Sequence, residues 1–405
     1  MAGNMYKKIL VVGTGAIGIV IAAELVKNPE IKEVRLADIN LQRAEQIRDW
    51  LKSEKVSAHR VDAGKLDDVV RVAEGVDVIV NATLPRFNLT ITNAAFKAKA
   101  NYVDLAMYDY SSYVKQLELD DKYKEAGLTA LLNAGSAPGI TNVLAVNGAD
   151  RLDRVDAIRI RIFDSVESKE IVSTWSPRVM WDDMATEPVV YDNGEFKRVP
   201  LFSGEEMYNF PDPIGPQTVV AHVHEEPITL PRFIGKGLKY VDFKIGTPDM
   251  PTIKFVVQLG LIGEEPVDVG GVKIAPQDIF FKLIPPTLSF EEVENKIKAG
   301  ILIDARECYV VEVEGKKAGK KITYIFSVPF PSLREVQEKL SGATHESYVT
   351  GVSGAVFTEM VCMGDIKAKG VFLPECLGAE ARETFIAKLA ERDIKIQEKT
   401  KNSIA

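Results

Sequence analysis

The chain has 405 residues, of which 46% are hydrophobic and 27% are charged, and its formal net charge is −8. Because this length exceeds the roughly 250–300 residues at which single hydrophobic cores stop growing, we expect two structural units. The acidic balance, without a block of like charges, argues against nucleic acid as a partner. No apolar stretch approaches the ~20 residues of a membrane span, so the sequence predicts a cytoplasmic protein that does not bind membranes.

The sequence carries three cysteines and four histidines. Cys308, Cys362 and Cys376 are odd in number and have no CxxC spacing. The histidines form no pattern that is typical of metal ligands. The sequence therefore predicts reduced thiols and no bound metal.

Short β-branched runs alternate with amphipathic stretches from Lys8 to about Leu132. This alternation is typical of a parallel sheet whose strands are joined by crossover helices. Residues 1–139 are therefore predicted to form an α/β domain with a doubly wound Rossmann sheet. Its predicted strands cover residues 8–12, 34–38, 56–62, 77–81, 102–106 and 128–132.

The pattern changes after the loop at residues 135–139, and residues 158–162 alternate between isoleucine and arginine as a half-buried strand does. Asp192-Asn193-Gly194 indicates a hairpin turn. Further strands are predicted at residues 252–263, 308–315 and 321–328. We therefore predict an α+β mixed-sheet domain at residues 140–345, which binds the substrate. Helical patterns at residues 346–405 predict a C-terminal segment that packs back on the Rossmann domain.

The first predicted strand leads directly into Gly13-x-Gly15-x-x-Gly18 at the start of a helix. Glycines at these positions permit a tight turn, close approach of a pyrophosphate to the backbone, and packing of the helix on the strand. The sequence therefore predicts a dinucleotide-binding loop, with Ala16 and Ile17 in the first turn of the helix.

Asp38 ends the second predicted strand, about twenty residues after the last glycine of the loop. A carboxylate there accepts hydrogen bonds from the adenosine ribose hydroxyls and repels a 2′-phosphate. An alternative is that Asp38 caps the following helix, and Arg43 is able to compensate the charge of a phosphate. We therefore predict NAD as the cofactor, with NADP as the second option.

Four further residues lie at or just after the carboxyl ends of the third and fourth predicted strands, where ligands of open α/β sheets bind. They are Asp62, Asn81, Thr83 and Pro85. We predict that Asp62 contacts the adenine side of the cofactor and that Asn81, Thr83 and Pro85 lie on the nicotinamide side. Both Asp62 and Asn81 have an alternative interpretation as cap or turn residues.

Asp104 lies in the fifth predicted strand, near its carboxyl end. Oxidation of an amine to an imine requires that the nitrogen lose a proton, and a carboxylate near the nicotinamide is able to accept it. Asp104 is therefore a candidate general acid or base. The alternative is a structural carboxylate that is paired or that caps the helix starting near Ser111.

A helix start follows the sixth predicted strand, with Pro138 near the first turn and backbone N–H groups at Gly139 and Thr141. The N-terminus of a helix suits an anionic group, so we predict that a substrate carboxylate binds here.

His224 and Glu226 lie in a second-domain loop bordered by prolines, and Arg232 follows shortly after. We predict His224 and Glu226 as catalytic candidates, with a surface histidine as the alternative for His224. Arg232 is the predicted cationic partner of an amino-acid or dicarboxylate substrate.

Several segments resemble the saccharopine dehydrogenase family, and above all its lysine 6-dehydrogenase and saccharopine reductase branch. The resemblance covers nearly the whole chain and implies a Rossmann domain completed by C-terminal helices, a mixed-sheet domain for substrate and dimerisation, a homodimer, and hydride transfer at a C–N bond. The segments are VVGTGAIG, NATLP, YVDLA, NAGSAPGITN, PVVYDNGEFKRVPLFSG, HEEPITLPRF, LGLIGEEPV and GVFLPE.

Three motifs of that family fall on candidate residues of this chain, and two positions depart from the family pattern. Ala137 stands where saccharopine reductases usually carry an acidic residue, and Glu225 stands where the family often has proline. These departures leave the substrate open. The motifs are YVD on Asp104, PG-x-x-N on Pro138, Gly139 and Asn142, and H-P-E on His224 and Glu226.

From the residues and the resemblance together we predict an NAD(P)-dependent dehydrogenase that acts on the CH–NH group of an amino acid or opine-like substrate. Lysine oxidised at its ε-carbon is the leading substrate. Saccharopine, or the carboxylated polyamine of a carboxynorspermidine dehydrogenase, is the next alternative. A different class of function is a non-catalytic dinucleotide sensor or scaffold.

Overall fold

The computed structural model of the protein describes residues 7–402. The chain divides into two compact units, each built from two stretches of sequence. Unit 1 comprises the residues up to Val143 and Ser347–Asp393, and unit 2 comprises Leu144–Glu346 and the chain from Ile394 onward. The divisions thus fall after residues 143, 346 and 393, compared with 139 and 345 predicted from the sequence.

Two sheets and a separate hairpin contain the strands that lie between residues 7 and 402. In chain order the strands are β1 (Lys7–Val12), β2 (Ile31–Asp38), β3 (Val56–Arg60), β4 (Val78–Asn81), β5 (Asn101–Asp104), β6 (Thr129–Leu131), β7 (Arg154–Ser168), β8 (Val189–Asp192), β9 (Glu195–Arg198), β10 (Glu206–Asn209), β11 (Pro216–Ala221), β12 (Tyr240–Gly246), β13 (Val267–Val269), β14 (Val272–Ile274), β15 (Leu302–Lys317), β16 (Lys320–Pro329), β17 (Gly370–Phe372) and β18 (Gln397–Asn402).

Helices connect and cover these sheets in the same part of the chain. They are α1 (Ala16–Leu25), α2 (Leu41–Leu51), α3 (Leu66–Val72), α4 (Asn88–Ala98), α5 (Tyr110–Leu117), α6 (Asp120–Glu125), α7 (Ile140–Asp150), α8 (Pro177–Met184), α9 (Glu226–Phe233), α10 (Met250–Gln258), α11 (Pro276–Leu283), α12 (Phe290–Lys298), α13 (Leu333–Lys339), α14 (His345–Met363) and α15 (Ala379–Ala390), with short 3-10 helices at Pro85–Phe87 and Pro374–Cys376.

The sheet of unit 1 is parallel throughout, with the strand order β17-β6-β5-β4-β1-β2-β3. The residues of β1 from Ile9 to Val12 are all buried, as expected for a strand that helices cover on both faces. The six predicted strands all form here, so the predicted Rossmann fold is confirmed. The additional strand β17 comes from the C-terminal segment and pairs with β6. Its three residues are too few to show a periodic pattern in the sequence.

The large sheet of unit 2 is mixed, with the order β10-β11-β12-β7-β15-β16-β18, and with β8 and β9 attached to β12. Only the β12–β7 pair among these is parallel. Phe163 of β7 packs into an apolar cluster with Phe210 and Cys308. Because side chains alternate along a strand, Ile160 and Ile162 face the opposite side.

The predicted hairpin turn between β8 and β9 is confirmed, because Asn193 and Gly194 both have positive φ angles, 52° and 92°. The strand predicted at residues 252–263 is wrong, because α10 begins there with a proline in its first turn. Its buried residues, Met250 and Ile253, are three positions apart, which is a helical spacing. The β-branched and aromatic residues of this stretch obscure that period.

The C-terminal segment is not helical throughout, which corrects the prediction for residues 346–405. Strand β18 pairs with β16 in the sheet of unit 2, although its six residues are exposed and polar. Main-chain hydrogen bonds to an edge strand explain this pairing, since they do not depend on apolar side chains. Among residues 7–402, no helix combines the length and the apolar character needed to cross a membrane.

Candidate functional site

The segment that leads from β1 into α1 contains three glycines with two different roles. Gly13 has a φ of +97°, and a Cβ there would lie 2.7 Å from the carbonyl oxygen of Ala82. A Cβ on Gly18 would lie 1.9 Å from the carbonyl oxygen of Gly13. At Gly15, by contrast, a Cβ would meet nothing within 4 Å. The first and third glycines are therefore required by packing, whereas the second leaves open space at the N-terminus of α1, where a pyrophosphate is able to approach the backbone.

Asp38 at the end of β2 is hydrogen-bonded to this glycine loop. Its Oδ2 accepts from the backbone N–H of Thr14 at 2.9 Å and from the hydroxyl of Thr14 at 2.8 Å. Its Oδ1 accepts from the backbone N–H of Asn40. The N-cap of α2 is Asn40, whose side chain accepts from the backbone N–H of Arg43. The alternative that Asp38 caps this helix is therefore wrong, and its ribose contact stays a prediction.

Asn81 and Thr83 form one turn at the carboxyl end of β4. The Asn81 side chain is buried, and its Oδ1 accepts from both the backbone N–H and the hydroxyl of Thr83. Its Nδ2 donates to Asn88 and Tyr102. These bonds fix the turn that lies against Gly13 of the cofactor loop. The alternative interpretation of Asn81 as a turn residue therefore agrees with its contacts.

Asp62 and Pro85 lie in the connections that follow β3 and β4. Strand β3 ends at Arg60, so Asp62 lies two residues beyond the strand and not at its end. Its Oδ1 accepts from the backbone N–H of Gly64, and Lys65 lies 3.5 Å from its other oxygen. This is an Asx turn that leads into α3. Pro85 starts the short 3-10 helix after β4.

Asp104 is the last residue of β5 and is 1% exposed. Its Oδ1 accepts from the backbone N–H of Asn133 at 2.7 Å, and its Oδ2 accepts from the side-chain amide of Gln116 at 3.0 Å. Asp109, not Asp104, caps α5. These contacts agree with the alternative of a structurally paired carboxylate, because both oxygens already serve neutral donors.

The helix start at residues 138–142 is closed by its own side chains. The backbone N–H of Gly139 donates to the Oδ1 of Asn142, and that of Thr141 donates to the carbonyl of Ser136. Asn142 donates in turn to Glu375. Pro138, Gly139, Thr141 and Asn142 are all buried. This start therefore offers no open donor at Gly139 or Thr141 for the predicted substrate carboxylate.

Unit 2 brings four titratable residues together around the loop between β11 and α9. We call Asp183, His224, Glu225 and Glu226 the histidine cluster. The Nδ1 of His224 forms a short hydrogen bond with the Oε2 of Glu226 and lies 3.2 Å from the Oε2 of Glu225. Glu226 is fully buried in the first turn of α9. The His224 ring stacks on Phe243 of β12, with ring centroids 3.9 Å apart.

The charges and burial of the histidine cluster raise the pKa values of two of its groups. Burial lowers the pKa of His224, but the charges of Glu226, Glu225 and Asp183 outweigh this effect and raise it to about 9. Burial, together with the charge of Glu225, raises the pKa of Asp183 to about 7. Groups that gain and lose protons near neutral pH are suited to acid–base catalysis.

Asp183 is the functional candidate that the sequence patterns do not reveal. It lies at the end of α8 beside Trp181 and Met184, which are buried three positions apart. That spacing is a weak signal that this end of the helix faces the interior. Its electrostatic partner Glu225 is 42 positions away in the sequence, so only the fold brings the two together.

Arg232 lies away from the histidine cluster, and its contact with the substrate stays a prediction that this position does not favour. It follows Glu226 by six residues, or roughly 240° around α9, and is exposed. Its Nε donates to the carbonyl of Ile228, and its guanidinium lies over the ring of Phe196 at 5.1 Å.

Two groups of side chains within residues 7–402 have the composition of cation ligands, although the sequence predicts no metal. One is His224 with Glu225 and Glu226, and in each group one ligand atom per residue lies within 4.8 Å of all the others. The second group could not be predicted from the sequence, because most of its members lie far apart in the chain. They are Asp164, Glu307, His345 and Glu346.

Comparisons with known proteins cover nearly the whole chain. Residues 9–131 match the saccharopine dehydrogenase NADP binding domain, and residues 135–394 match the saccharopine dehydrogenase C-terminal domain. A carboxynorspermidine synthase of Vibrio cholerae is 26% identical over 92% of each chain. A carboxyaminopropylagmatine dehydrogenase of Synechocystis sp. is 25% identical over 95% of each chain.

Two solved structures share the fold of this chain. The saccharopine dehydrogenase (L-Glu forming) of Saccharomyces cerevisiae aligns with a TM-score of 0.72 at 16% identity, over 98% of this chain and 100% of that one. A homospermidine synthase of Legionella pneumophila in complex with NAD aligns with a TM-score of 0.67 at 14% identity, over 98% and 91% of the two chains.

Proposed function

The chain belongs to the saccharopine dehydrogenase family and is an NAD(P)-dependent oxidoreductase, and we propose that it interconverts an imine and a secondary amine on a carboxylated polyamine. The names of two relatives, a carboxynorspermidine synthase and a carboxyaminopropylagmatine dehydrogenase, support this substrate class. The observation that carries the proposal is the histidine cluster, whose pKa values suit proton exchange with an amine nitrogen.

We propose His224 as the general acid in the reductive direction. Because the pKa of His224 is about 9, its ring carries a proton at neutral pH. Bound NAD(P)H supplies hydride to the carbon of the C=N bond. His224 gives its proton to the nitrogen, so one C–H bond and one N–H bond form as C=N becomes C–N. Glu226 holds the ring by its Nδ1, which leaves Nε2 as the atom that donates.

In the oxidative direction the same groups work in reverse. The nitrogen must lose a proton before hydride leaves the adjacent carbon, and neutral His224 accepts it. Asp183 with a pKa of about 7 is the second group able to pass that proton on to solvent. We propose a positioning role for Asp104, because its two oxygens hold the backbone of Asn133 and the side chain of Gln116.

We also propose that NAD(H) is preferred over NADP(H), because Asp38 lies at the end of β2 beside the glycine loop. A cytoplasmic homodimer stays part of the proposal. Exposed apolar side chains on neighbouring elements of unit 2 support an interface between copies of the chain. They are Phe255, Leu259, Val267, Val269, Val272, Ile279 and Leu283.

Turnover of a defined amine panel tests the proposed function. Oxidation of NADH is followed with 1,3-diaminopropane or agmatine plus aspartate semialdehyde, which adds a carboxyaminopropyl group on reductive coupling. Lysine with 2-oxoglutarate, and saccharopine or lysine with NAD⁺, serve as the other arms. We expect the polyamine arms to be fastest. Turnover confined to lysine or saccharopine would replace the polyamine substrate, and stoichiometric NADH binding without any turnover would favour a sensor.

A further inference from the structure

The second group of cation-ligand side chains lies on the sheet of unit 2, and we call Asp164, Glu307, His345 and Glu346 the acidic cluster. Asp164 of β7 and Glu307 of β15 are register partners in neighbouring strands. His345 and Glu346 are the first two residues of α14. One ligand atom from each of the four lies within 4.8 Å of the other three.

Three buried atoms of the acidic cluster have no hydrogen-bond partner among the described residues. They are the Oε2 of Glu307, the Oε2 of Glu346 and the Nδ1 of His345. Glu307 is 6% exposed and His345 is fully buried. Leaving a buried polar atom unpaired is costly, so three in one place indicate a ligand that supplies hydrogen bonds.

The protonation of His345 follows from its one hydrogen bond. Its Nε2 lies 2.8 Å from the Oδ1 of Asp164. Because a carboxylate only accepts, the ring proton belongs on Nε2, and in the neutral ring Nδ1 is then an acceptor. Burial lowers the pKa of His345, but the hydrogen bond and the charge of Asp164 outweigh this effect and raise it, so the charged ring, in which Nδ1 is a donor, is favoured. The cluster thus presents two unpaired carboxyl oxygens as acceptors, those of Glu307 and Glu346.

We propose that the acidic cluster binds a primary ammonium group at the far end of the substrate, an inference that rests on the proposed function. An ammonium group carries three N–H donors, two of which are able to bind the unpaired oxygens of Glu307 and Glu346. Acceptors arranged tetrahedrally at about 2.8 Å from one nitrogen lie about 4.6 Å apart. One ligand atom from each of the four residues lies within 4.8 Å of the others, so the cluster is compact enough for one nitrogen to contact more than one of them.

Crowding of like charges also favours a cation in this position. Burial raises the pKa of Glu307 well above its ordinary value, and the charges of Asp164 and Glu346 raise it further. Burial and the charge of Asp164 raise the pKa of Glu346 to about 7. A bound ammonium group reverses both effects, because it favours the charged form of each carboxyl group.

The acidic cluster lies on the same face of the sheet as the histidine cluster. Phe243, on which His224 stacks, is the register partner of Ile160. Asp164 follows Ile160 by four residues, so both side chains point to one face, roughly 13 Å apart along the strand. We infer that the substrate has a second cationic nitrogen, several methylenes from the nitrogen that reacts.

A binding comparison tests this inference without turnover. Isothermal titration of the full chain with NAD⁺ present compares a long diamine, 1,8-diaminooctane, whose extended chain is able to bridge the two clusters, with octylamine, which lacks the second nitrogen. A charge-assisted hydrogen-bond set predicts that the diamine binds roughly tenfold to a hundredfold more tightly. Glu307→Gln removes one charge at nearly constant shape and is expected to abolish most of that difference while NADH binding stays unchanged.

Glu314→Gln is the matched control, because Glu314 lies on the same strand but pairs with Arg159 and Lys321. It is expected to keep the wild-type preference for the diamine. Equal affinity of the wild type for both amines, or an unchanged preference in a folded Glu307→Gln, overturns the inference. So does Mn²⁺ or Zn²⁺ binding that displaces the diamine, since the cluster would then be a metal site. Turnover that ignores the second nitrogen refutes this inference alone, whereas no turnover with any amine refutes the proposed function.

Discussion

Two buried carboxylates, Asp104 in unit 1 and Glu307 in unit 2, differ in whether their oxygens have hydrogen-bond partners. Each side-chain oxygen of Asp104 accepts a hydrogen bond from a neutral N–H donor, one on Asn133 and one on Gln116. Glu307 lies beside two other acidic residues and keeps one oxygen unpaired. A carboxylate with both oxygens paired stabilises the backbone around it. One that stays unpaired in a buried, acidic setting is poised to take up a proton or a cation.

The same contrast separates the wider candidate sites of the two units. In unit 1 the turn at Asn81 and the helix start at Gly139 satisfy their own donors and acceptors. The binding space there is the gap at Gly15, which is made by the absence of a side chain. In unit 2 charged groups crowd together and shift one another's pKa values. Chemistry that moves protons is therefore expected to depend on unit 2.

The largest expected effect is loss of the proton donor in unit 2. His224→Asn keeps a polar side chain but cannot carry a proton, so kcat for imine reduction should fall by about 10²–10⁴ while NADH binding is kept. In the wild type, kcat/KM for reduction should fall as pH rises through about 9, because His224 then loses its proton. The variant should lack that limb of the profile.

Arg232→Ala provides the control, since the side chain of Arg232 is exposed and stacks on Phe196. It should leave kcat and the pH profile of imine reduction unchanged. A His224→Asn variant with wild-type kcat would remove the histidine from the mechanism and direct attention to Asp183.

The sequence predicts the Rossmann half of the molecule well because its signals are local. Gly13, Gly15 and Gly18 lie within six positions of one another, and strands such as β1 and β4 show apolar runs. Only part of the histidine cluster could be predicted from the sequence, because His224 and Glu226 are two positions apart whereas Asp183 comes from α8. The acidic cluster could not be predicted from the sequence. Residues 164 and 307 meet through the pairing of two strands, and residues 345 and 346 join them at the start of α14.

The second prediction tests whether Asp104 stabilises the fold or takes part in catalysis. Asp104→Asn leaves an amide donor facing the N–H of Asn133 or of Gln116, so we expect a loss of about 1–3 kcal/mol in the free energy of unfolding. The folded fraction should keep kcat within about tenfold and an unaltered acidic limb. Denaturant unfolding and steady-state kinetics measure the two effects. Unchanged stability with a kcat lowered by about 10²–10⁴ would instead identify Asp104 as the base.

The third prediction concerns the cofactor loop, where a single carboxylate is proposed to choose between NAD and NADP. Asp38→Ser removes the negative charge at the end of β2, so discrimination against NADPH should fall by about tenfold or more. A fluorescence titration with NADH and NADPH measures both affinities. Wild-type protein that binds NADPH as tightly as NADH would show that the Asp38 carboxylate, which Thr14 already holds, does not face the ribose.

The smallest expected effect concerns Glu307 and Glu314 of β15. Their contributions to the stability of the fold should change in opposite directions as pH changes. The pKa of Glu307 is raised, first by burial, so the folded protein holds this proton more tightly than the unfolded chain does. Its contribution to stability is therefore lost as pH rises from about 4.5 through the folded-state pKa. Burial also raises the pKa of Glu314, but the hydrogen bond from Lys321 and the charge of Arg159 outweigh this and lower it overall. Its contribution is present above about pH 4.5 and is lost as pH falls below it.

Glu307→Gln removes the buried carboxyl group that must ionise, so without ligand the variant should be more stable than the wild type by about 1 kcal/mol at pH 8 and equal to it near pH 4.5. Glu314→Gln should be no more stable than the wild type at pH 8, because it loses two partly exposed ion pairs. Thermal unfolding of the wild type and of both variants at the two pH values measures these differences in stability. If Glu307→Gln were less stable at pH 8, the ionised carboxylate would already have partners in the folded protein, and the contrast with Asp104 would disappear.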